Sequence, residues 1–347
     1  MAERYLIVKP SSLGDVIHAF PAVTRLAKIR QEAKIDWVVV PAFADVVRMH
    51  PSVDRVILFP RKELGKVRTF VPAFLKFLKE LRKERYTAVL DLQGLLRSAL
   101  ISGFSRSDVI AGPLEPKEKI ARLFYGKKVD SGPDSLHAVI RNCRLIASFF
   151  KAEPEEKIKS LFLENRDSAA RAAEWRKELP PGPVVAIAPG ARWKSKCWPA
   201  EFFAKTAEIV KEKYGETVFL ILGTRDEEEI AEELCKKLHA PCLNLTGKTS
   251  ITELVELIRI SDVLFCNDSG PMHIAAALDV PVVTMFAPTD PVRTGPYSEK
   301  AQVLIPEGLP CLKCFRHECP ESSCHRSIPP EKAADAISGF LARSRSC

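Results

Sequence analysis

Two doubly wound α/β domains, each built on a parallel sheet, are the fold that the sequence predicts. Three observations carry the prediction. Apolar runs of strand length lack polar alternation, as strands buried on both faces do. These runs alternate with helical patterns. The alternation stops at a polar stretch, about Asp167 to Glu178, and restarts after about residue 182. A chain of 347 residues that is 46% hydrophobic and 28% charged is long enough to bury two cores.

In chain order, Tyr5 to Val8, Ile35 to Val40, Val56 to Phe59 and Ala88 to Leu90 are the strands expected of a first domain, residues 1–165. An amphipathic helix is expected from about Val16 to Ile29. The polar helix near Asp167 to Glu178 ends in Leu179-Pro180-Pro181-Gly182-Pro183, a composition suited to a linker. Val184 to Ala188, Val218 to Leu222, Val263 to Cys266 and Val282 to Phe286 are the buried parallel strands expected of a second domain, residues 183–329, with helices beginning near Pro199 and Gly270. A final helix starts at Pro330.

Three junctions of strand, loop and helix carry polar groups. Asn267-Asp268-Ser269-Gly270 interrupts an apolar strand and an Ala/Leu-rich helix. Free backbone N–H groups and the positive end of the helix dipole favour a phosphate there, with Ser269 and His273 as further donors. An ordinary capped helix after a buried strand accounts for the same residues. Lys9-Pro10-Ser11-Ser12-Leu13-Gly14-Asp15 repeats the order near the N-terminus. Its Asp15 can cap the helix. It can equally serve as a general base, because loops at the carboxyl ends of parallel strands face the ligand crevice. Neither loop is a Walker or dinucleotide fingerprint. In the third junction, Pro189 to Lys196, the cations Arg192, Lys194 and Lys196 repel one another unless solvent or an anion compensates. A nucleotide diphosphate would do so: Lys196 can neutralise a leaving diphosphate and Arg192 can reach phosphate or sugar. A solvated turn is the alternative.

Charge is uneven. Residues 1–150 hold 26 Lys and Arg against 15 Asp and Glu, a net of +11, and the rest of the chain 26 against 29, a net of −3. The excess is densest in Arg61-Lys62-Glu63-Leu64-Gly65-Lys66-Val67-Arg68 and recurs at Lys117, Lys119, Arg122, Lys127 and Lys128. Such a face suits a phosphorylated acceptor, an anionic membrane or nucleic acid. No RNA-binding signature or zinc-finger His pairing supports the last, and no nucleic-acid partner is expected. Lys76 to Arg85 reads as a solvated helix face. No stretch approaches the roughly 18 to 20 apolar residues of a membrane span. Met1-Ala2-Glu3-Arg4 leads into a strand without an export-signal profile, so the ten cysteines are expected as reduced cytoplasmic thiols. Cys311, Cys314, Cys319 and Cys324 are densely spaced. They are compatible with a structural metal, with surface thiols or with a partial disulfide.

Ser11-Ser12-Leu13-Gly14-Asp15-Val16-Ile17-His18, then Pro189 to Trp193 with Lys196-Cys197-Trp198-Pro199, then Asn267 to His273, resemble the three signature blocks of the bacterial ADP-heptose:lipopolysaccharide heptosyltransferases, glycosyltransferase family 9. Phe124-Tyr125 and His137-Ala138-Val139 with Arg141 place the pattern nearest heptosyltransferase I. The resemblance runs nearly end to end. It implies a GT-B fold, two Rossmann-like domains facing a cleft, with residues 330–347 crossing back onto the first domain. It matches Lys196 to the family's catalytic lysine, and implies a ribose-binding carboxylate at Glu227, with Asp226 as the rival. Carboxylates that complement a helix N-terminus explain the same residues. Small hydroxyl residues stand in some relatives where this chain has Ala191 and Arg192.

The reaction so implied is inverting transfer of heptose from ADP-L-glycero-D-manno-heptose to the lipopolysaccharide inner core, on Kdo or the first heptose. Asp15 is the expected base and Lys196 the expected stabiliser of ADP. Ser12, Gly14, Ala191, Arg192, Glu227, Asp268, Ser269, Gly270 and His273 are expected on the donor. Arg61, Lys62, Lys66, Asp91, Gln93 and Arg122 are expected on a lipid A-Kdo acceptor at the cytoplasmic face of the inner membrane. No cofactor is required. A nucleotide-sugar epimerase of the same fold would keep the phosphate loops without needing a basic acceptor face. A binding module would rest on the cysteines and charge alone.

Overall fold

The computed structural model describes residues 3–153, 155, 159–309, 311–319 and 323–344. The chain divides into two compact units, Met1–Leu163 and Glu164–Cys347. The first holds strands β1 (Arg4–Val8), β2 (Lys34–Val39), β3 (Arg55–Leu58), β4 (Ala88–Asp91), β5 (Ile110–Pro113) and β6 (Lys127–Val129). They form one sheet in the order β3-β2-β1-β4-β5-β6, every pair parallel. The second holds β7 (Val184–Ala188), β8 (Val218–Ile221), β9 (Cys242–Asn244), β10 (Val263–Asn267), β11 (Val282–Met285) and β12 (Ala301–Leu304). Their order, β12-β11-β10-β7-β8-β9, repeats the first topology in all-parallel register. Each sheet reverses direction between its first and fourth strands, β1/β4 and β7/β10. At such a switch point the flanking loops part and leave a crevice at the carboxyl ends of the strands.

The expected central strands are present. The strands that periodicity did not reveal, β5, β6, β9 and β12, lie toward the outside of the sheets and are three or four residues long. The single helix expected from Val16 to Ile29 is two, Leu13–Ile17 and Phe20–Ile29, the second with Pro21 in its first turn. Proline is tolerated there because that N–H has no partner within the helix.

Two helices outside the expected cores fall within the second unit. The polar helix Arg166–Lys177 belongs to the second unit, where Ser168 Oγ donates to Thr252 Oγ1 at 2.9 Å and Asn165 N donates to the buried Glu256 at 3.1 Å. Within the second unit, the C-terminal helix Pro330–Ser344 packs on the Ala200–Tyr214 helix. Its Ala333, Ala334, Ile337 and Leu341 join the second core, and Tyr214 OH donates to Ser338 O at 2.7 Å. Apolar residues recurring along one stripe of this helix require a core, and the nearest uncovered one belongs to its own unit.

Candidate active site

In the first unit the Lys9–Ser12 loop leaves the carboxyl end of β1 and delivers Asp15 into the short Leu13–Ile17 helix, of which Gly14 is the second residue. Asp15 Oδ2 accepts both the backbone N–H and the hydroxyl of Ser12 at 3.0 Å, which realises the helix cap. The other oxygen, Oδ1, faces two cations, Lys9 Nζ at 3.7 Å and Lys117 Nζ at 3.9 Å, and the side chain is 28% exposed. One oxygen is therefore pinned and the other remains open to a proton. Burial by itself would raise the Asp15 carboxyl. The charges of Lys9 and Lys117 and the two Ser12 bonds outweigh it and hold the group below the usual carboxylate range. Lys9 is buried, donates to Leu92 O at 2.7 Å across the β1/β4 switch point, and is pushed down to about 8 by burial, against the pull of Asp15. His18 and His137 meet edge to face at 5.1 Å, and Asn142 donates to His18 O, so the segment from His137 to Asn142 packs against the end of the Asp15 helix.

The residues expected on the acceptor fall into two groups. Arg61, Lys62 and Lys66 are exposed in the turn between β3 and the Val67–Leu81 helix. Arg122 lies on the Lys119–Phe124 turn, 3.7 Å from Glu115. Asp91 is different: it is fully buried and accepts from Gln93 N, Gly94 N, Ser98 Oγ and Tyr125 OH at 2.8 to 3.1 Å. With both oxygens committed, Asp91 shapes the loop after β4 and does not offer itself to an acceptor, which corrects the expectation. Tyr125 reaches it because β5 carries Gly112 beneath the ring; a Cβ there would stand 2.4 Å from a ring carbon. Gln93 is also buried.

In the second unit, the loop after β7 and the turn after β10 converge. Lys196 Nζ lies 2.6 Å from Asp268 Oδ2, an oxygen that also accepts Thr289 Oγ1 at 2.5 Å. Asp268, expected on the donor, thus compensates Lys196 directly. Lys196 Nζ also sits 4.5 Å over the Trp193 ring. Arg192 and Lys194 are exposed, and Ala191 is half-buried between β7 and Arg192. The loop is held from below by Asn267, fully buried at the end of β10, which accepts from Trp198 N at 3.0 Å and donates to Pro189 O at 2.7 Å. Trp198 is itself fully buried, edge-on to Phe203 and Phe265. Deleting such a ring costs about 3–5 kcal/mol, so this anchor is strong.

Ser269 caps the Gly270–Ala277 helix, and its hydroxyl is buried with no partner among the described residues. A buried donor without a partner is costly, and an oxyanion at the helix N-terminus would satisfy it. His273 is buried one turn further on. Glu227 turns inward: its Oε2 accepts Thr224 N at 2.7 Å and Thr224 Oγ1 at 3.1 Å, while Asp226 stays exposed. A Cβ on Gly190 would stand 2.2 Å from the Glu227 carboxylate, so the absence of a side chain there lets Glu227 reach the β7 loop. Gly190→Ala is therefore expected to displace Glu227 and weaken ADP binding at least tenfold with an unchanged melting temperature. Calorimetric titration that returned the parent affinity would remove Glu227 from the donor site.

Cys311, Cys314, Cys319 and Cys324 are free thiols. Among the described residues no three His, Cys, Asp or Glu side chains stand close enough to hold a metal ion. The loop instead supports the Lys196 segment: His317 stacks on Trp193 at 3.9 Å, and the Arg316 carbonyl accepts Ser195 Oγ at 2.6 Å. Sequence reasoning did not identify the partners Lys9, Lys117, Thr289 and His317. Only Lys9 carried a local signal, as a cation directly after an apolar strand.

Two units, each a six-stranded parallel sheet of Rossmann topology, have the architecture of the GT-B class. The glycosyltransferase family 9 (heptosyltransferase) model matches residues 74–325. Lipopolysaccharide heptosyltransferase 1 of Pseudomonas aeruginosa is 32% identical over 91% of this chain and 87% of its own length, and that of Escherichia coli K12 is 30% identical over 86% and 92%. The solved structure of E. coli heptosyltransferase WaaC with ADP is similar with a TM-score of 0.77 at 26% identity, covering 98% of this chain and 99% of that one. The chain belongs to glycosyltransferase family 9, the heptosyltransferases.

Proposed function

We propose that this enzyme transfers heptose from ADP-L-glycero-D-manno-heptose to the lipopolysaccharide inner core, with inversion at the anomeric carbon. The observation that carries the reading is the Asp15 carboxylate, pinned by Ser12 through one oxygen and open at the other, in a family whose members include a structure solved with ADP. Asp15 accepts the proton of the attacking acceptor hydroxyl as the new glycosidic bond forms. The bond from the anomeric carbon to the diphosphate oxygen breaks through an oxocarbenium-like state. ADP leaves as an anion and needs no protonating acid. Lys196, the Ser269 hydroxyl and the Gly270–Ala277 helix dipole stabilise it, and Glu227 accepts from the ribose hydroxyls. Arg192, Ala191 and His273 complete the donor contacts. Incubation with ADP-heptose and heptose-free core lipid, followed by mass spectrometry of the lipid, tests the reading: a product one heptose heavier is expected, and an unmodified lipid with epimerised ADP-heptose would replace transfer by epimerisation.

The acceptor is a phosphorylated membrane lipid, so the enzyme works peripherally at the cytoplasmic face of the inner membrane. Arg61, Lys62, Lys66 and Arg122 attract it. Charge reversal in Arg61→Glu/Lys62→Glu is expected to raise the acceptor KM roughly tenfold and flatten its salt dependence, with ADP affinity unchanged, because exposed cations act over a screened range. An unchanged acceptor KM would relocate the acceptor site. A structural metal at the four cysteines is not part of this mechanism.

A further inference from the structure

The Val67–Leu81 helix carries an apolar stripe that its own unit covers only in part. Val67, Phe70, Val71, Phe74, Leu75 and Leu78 recur at the spacing of one helical face. The C-terminal half reaches the first core through Phe77 and Leu81. The N-terminal half does not: Val67 is 96% exposed, Val71 60%, Leu75 58%, and Phe70 is nearly half exposed. Phe74 carries the surface onto the neighbouring Leu96–Phe104 helix by an edge contact with Phe104 at 5.3 Å, where Phe104 and Leu100 are also exposed. Leaving this many large apolar groups together in water is unfavourable unless something covers them.

The cations around the stripe indicate what does. Residues 61–79 contain Arg61, Lys62, Lys66, Arg68, Lys76 and Lys79 against the single acid Glu63. None of the six is in an ion pair among the described residues, although ion pairs are frequent elsewhere in this unit. Arg68, Lys76 and Lys79 fall on the helix face next to the stripe, where their stems can lie along apolar surface with the charges held outward. A second copy of the chain is a poor occupant. Two-fold pairing of the patch with itself would press two cationic rims together. An anionic bilayer accepts both parts at once, the stripe into the acyl boundary and the rim against lipid phosphates.

We propose that the exposed stripe of the Val67–Leu81 helix, extended by Leu100 and Phe104 and rimmed by Arg68, Lys76 and Lys79, docks the first unit onto an anionic phospholipid membrane. The inference deepens and rests on the peripheral membrane placement proposed above by naming the surface that makes it, and acceptor-free vesicles test it apart from sugar transfer. The Arg61 to Lys66 run leads straight into this helix, so docking would hold a cationic turn at the lipid surface.

The test is co-sedimentation with vesicles of phosphatidylglycerol and phosphatidylethanolamine, free of any glycosyl acceptor, against vesicles of phosphatidylcholine. The parent protein is expected to partition onto the anionic vesicles at least tenfold more strongly. Phe70→Ser/Val71→Ser/Leu75→Ser is expected to lose at least tenfold in partition, and Arg68→Glu/Lys76→Glu/Lys79→Glu to lose partition together with its salt dependence. ADP affinity and the melting curve should stay at parent values in both, showing that the second unit and the fold are intact. If the serine triple variant is unfolded, Val67→Ser/Val71→Ser, at the two most exposed positions, gives the same readout with an expected loss of about threefold. No preference of the parent for anionic vesicles, or parent-like partition of the folded serine variants, overturns the proposal. A parent dimer in size-exclusion chromatography that the serine substitutions dissociate would also overturn it, by assigning the patch to a second copy.

Discussion

Asp15→Asn is expected to lower kcat at least a hundredfold while leaving ADP affinity within about twofold. The amide keeps an oxygen for the two Ser12 donors at the pinned position, so the Leu13–Ile17 helix should survive. What it removes is the proton acceptor at the other oxygen, and a positioned base contributes about 10²- to 10⁴-fold. Lys196, Asp268, Ser269 and Glu227 all belong to the second unit, so ADP titration should not respond. More than a tenth of parent turnover would exclude Asp15 as the base. The pH profile is an independent check. The Asp15 carboxyl is held below the usual carboxylate range, chiefly by Lys9 and Lys117 acting against burial, and a lowered carboxyl stays ionised as the pH falls. Parent kcat/KM should therefore show no acid limb from Asp15 between pH 7 and about pH 5. Lys9→Met removes the nearer cation, raises the Asp15 carboxyl and should move any acid limb from it toward higher pH. A limb in the parent and none in Lys9→Met would contradict the assignment.

Lys196→Ala is expected to act on folding, donor binding and chemistry together. Its ammonium lies 2.6 Å from Asp268, and both side chains are largely buried, at 15% and 7% exposed. Removing one member of a buried pair leaves an uncompensated charge, at a cost of about 3–5 kcal/mol. The melting temperature should fall accordingly. ADP affinity should drop at least tenfold, and kcat about a hundredfold or more, since a group facing the departing diphosphate stabilises it most as the bond breaks. The second substitution in Lys196→Ala/Asp268→Asn removes the orphaned charge. The double variant should regain most of the stability and none of the turnover, which separates the structural part of the effect from the catalytic part. Parent-like donor affinity and turnover in Lys196→Ala would mean that the ammonium serves only Asp268.

The candidate site was legible in the sequence where chemistry is local. Asp15 announced itself by following an apolar strand and opening a helix, and Ser269 by standing at the same junction in the second half. Glu227 could not be separated from Asp226 by local pattern, because both fit the first turn of a helix. In the structure Glu227 turns inward onto Gly190 while Asp226 stays exposed. Asp91 looked equally available in sequence, at the end of a strand three residues before a glycine. Four hydrogen bonds, one of them from Tyr125 on a segment 34 residues away, withdraw it.

The sequence by itself determined two parallel-sheet units, their central strands and the three junctions that hold the polar groups. Uninterrupted apolar runs and turn chemistry are properties of a few consecutive residues, and they survive in almost any packing. Only the tertiary structure decided the outer strands, the cores that the Arg166–Lys177 and Pro330–Ser344 helices join, and the pairing of Lys196 with Asp268 and of Asp15 with Lys117. A three- or four-residue strand such as β6, Lys-Lys-Val, has no periodicity of its own and exists because β5 offers it hydrogen bonds. A helix with an apolar stripe states that it needs a core without stating which. A charge states that it needs a partner, and which partner it meets depends on how segments far apart in the chain are brought to the same switch point.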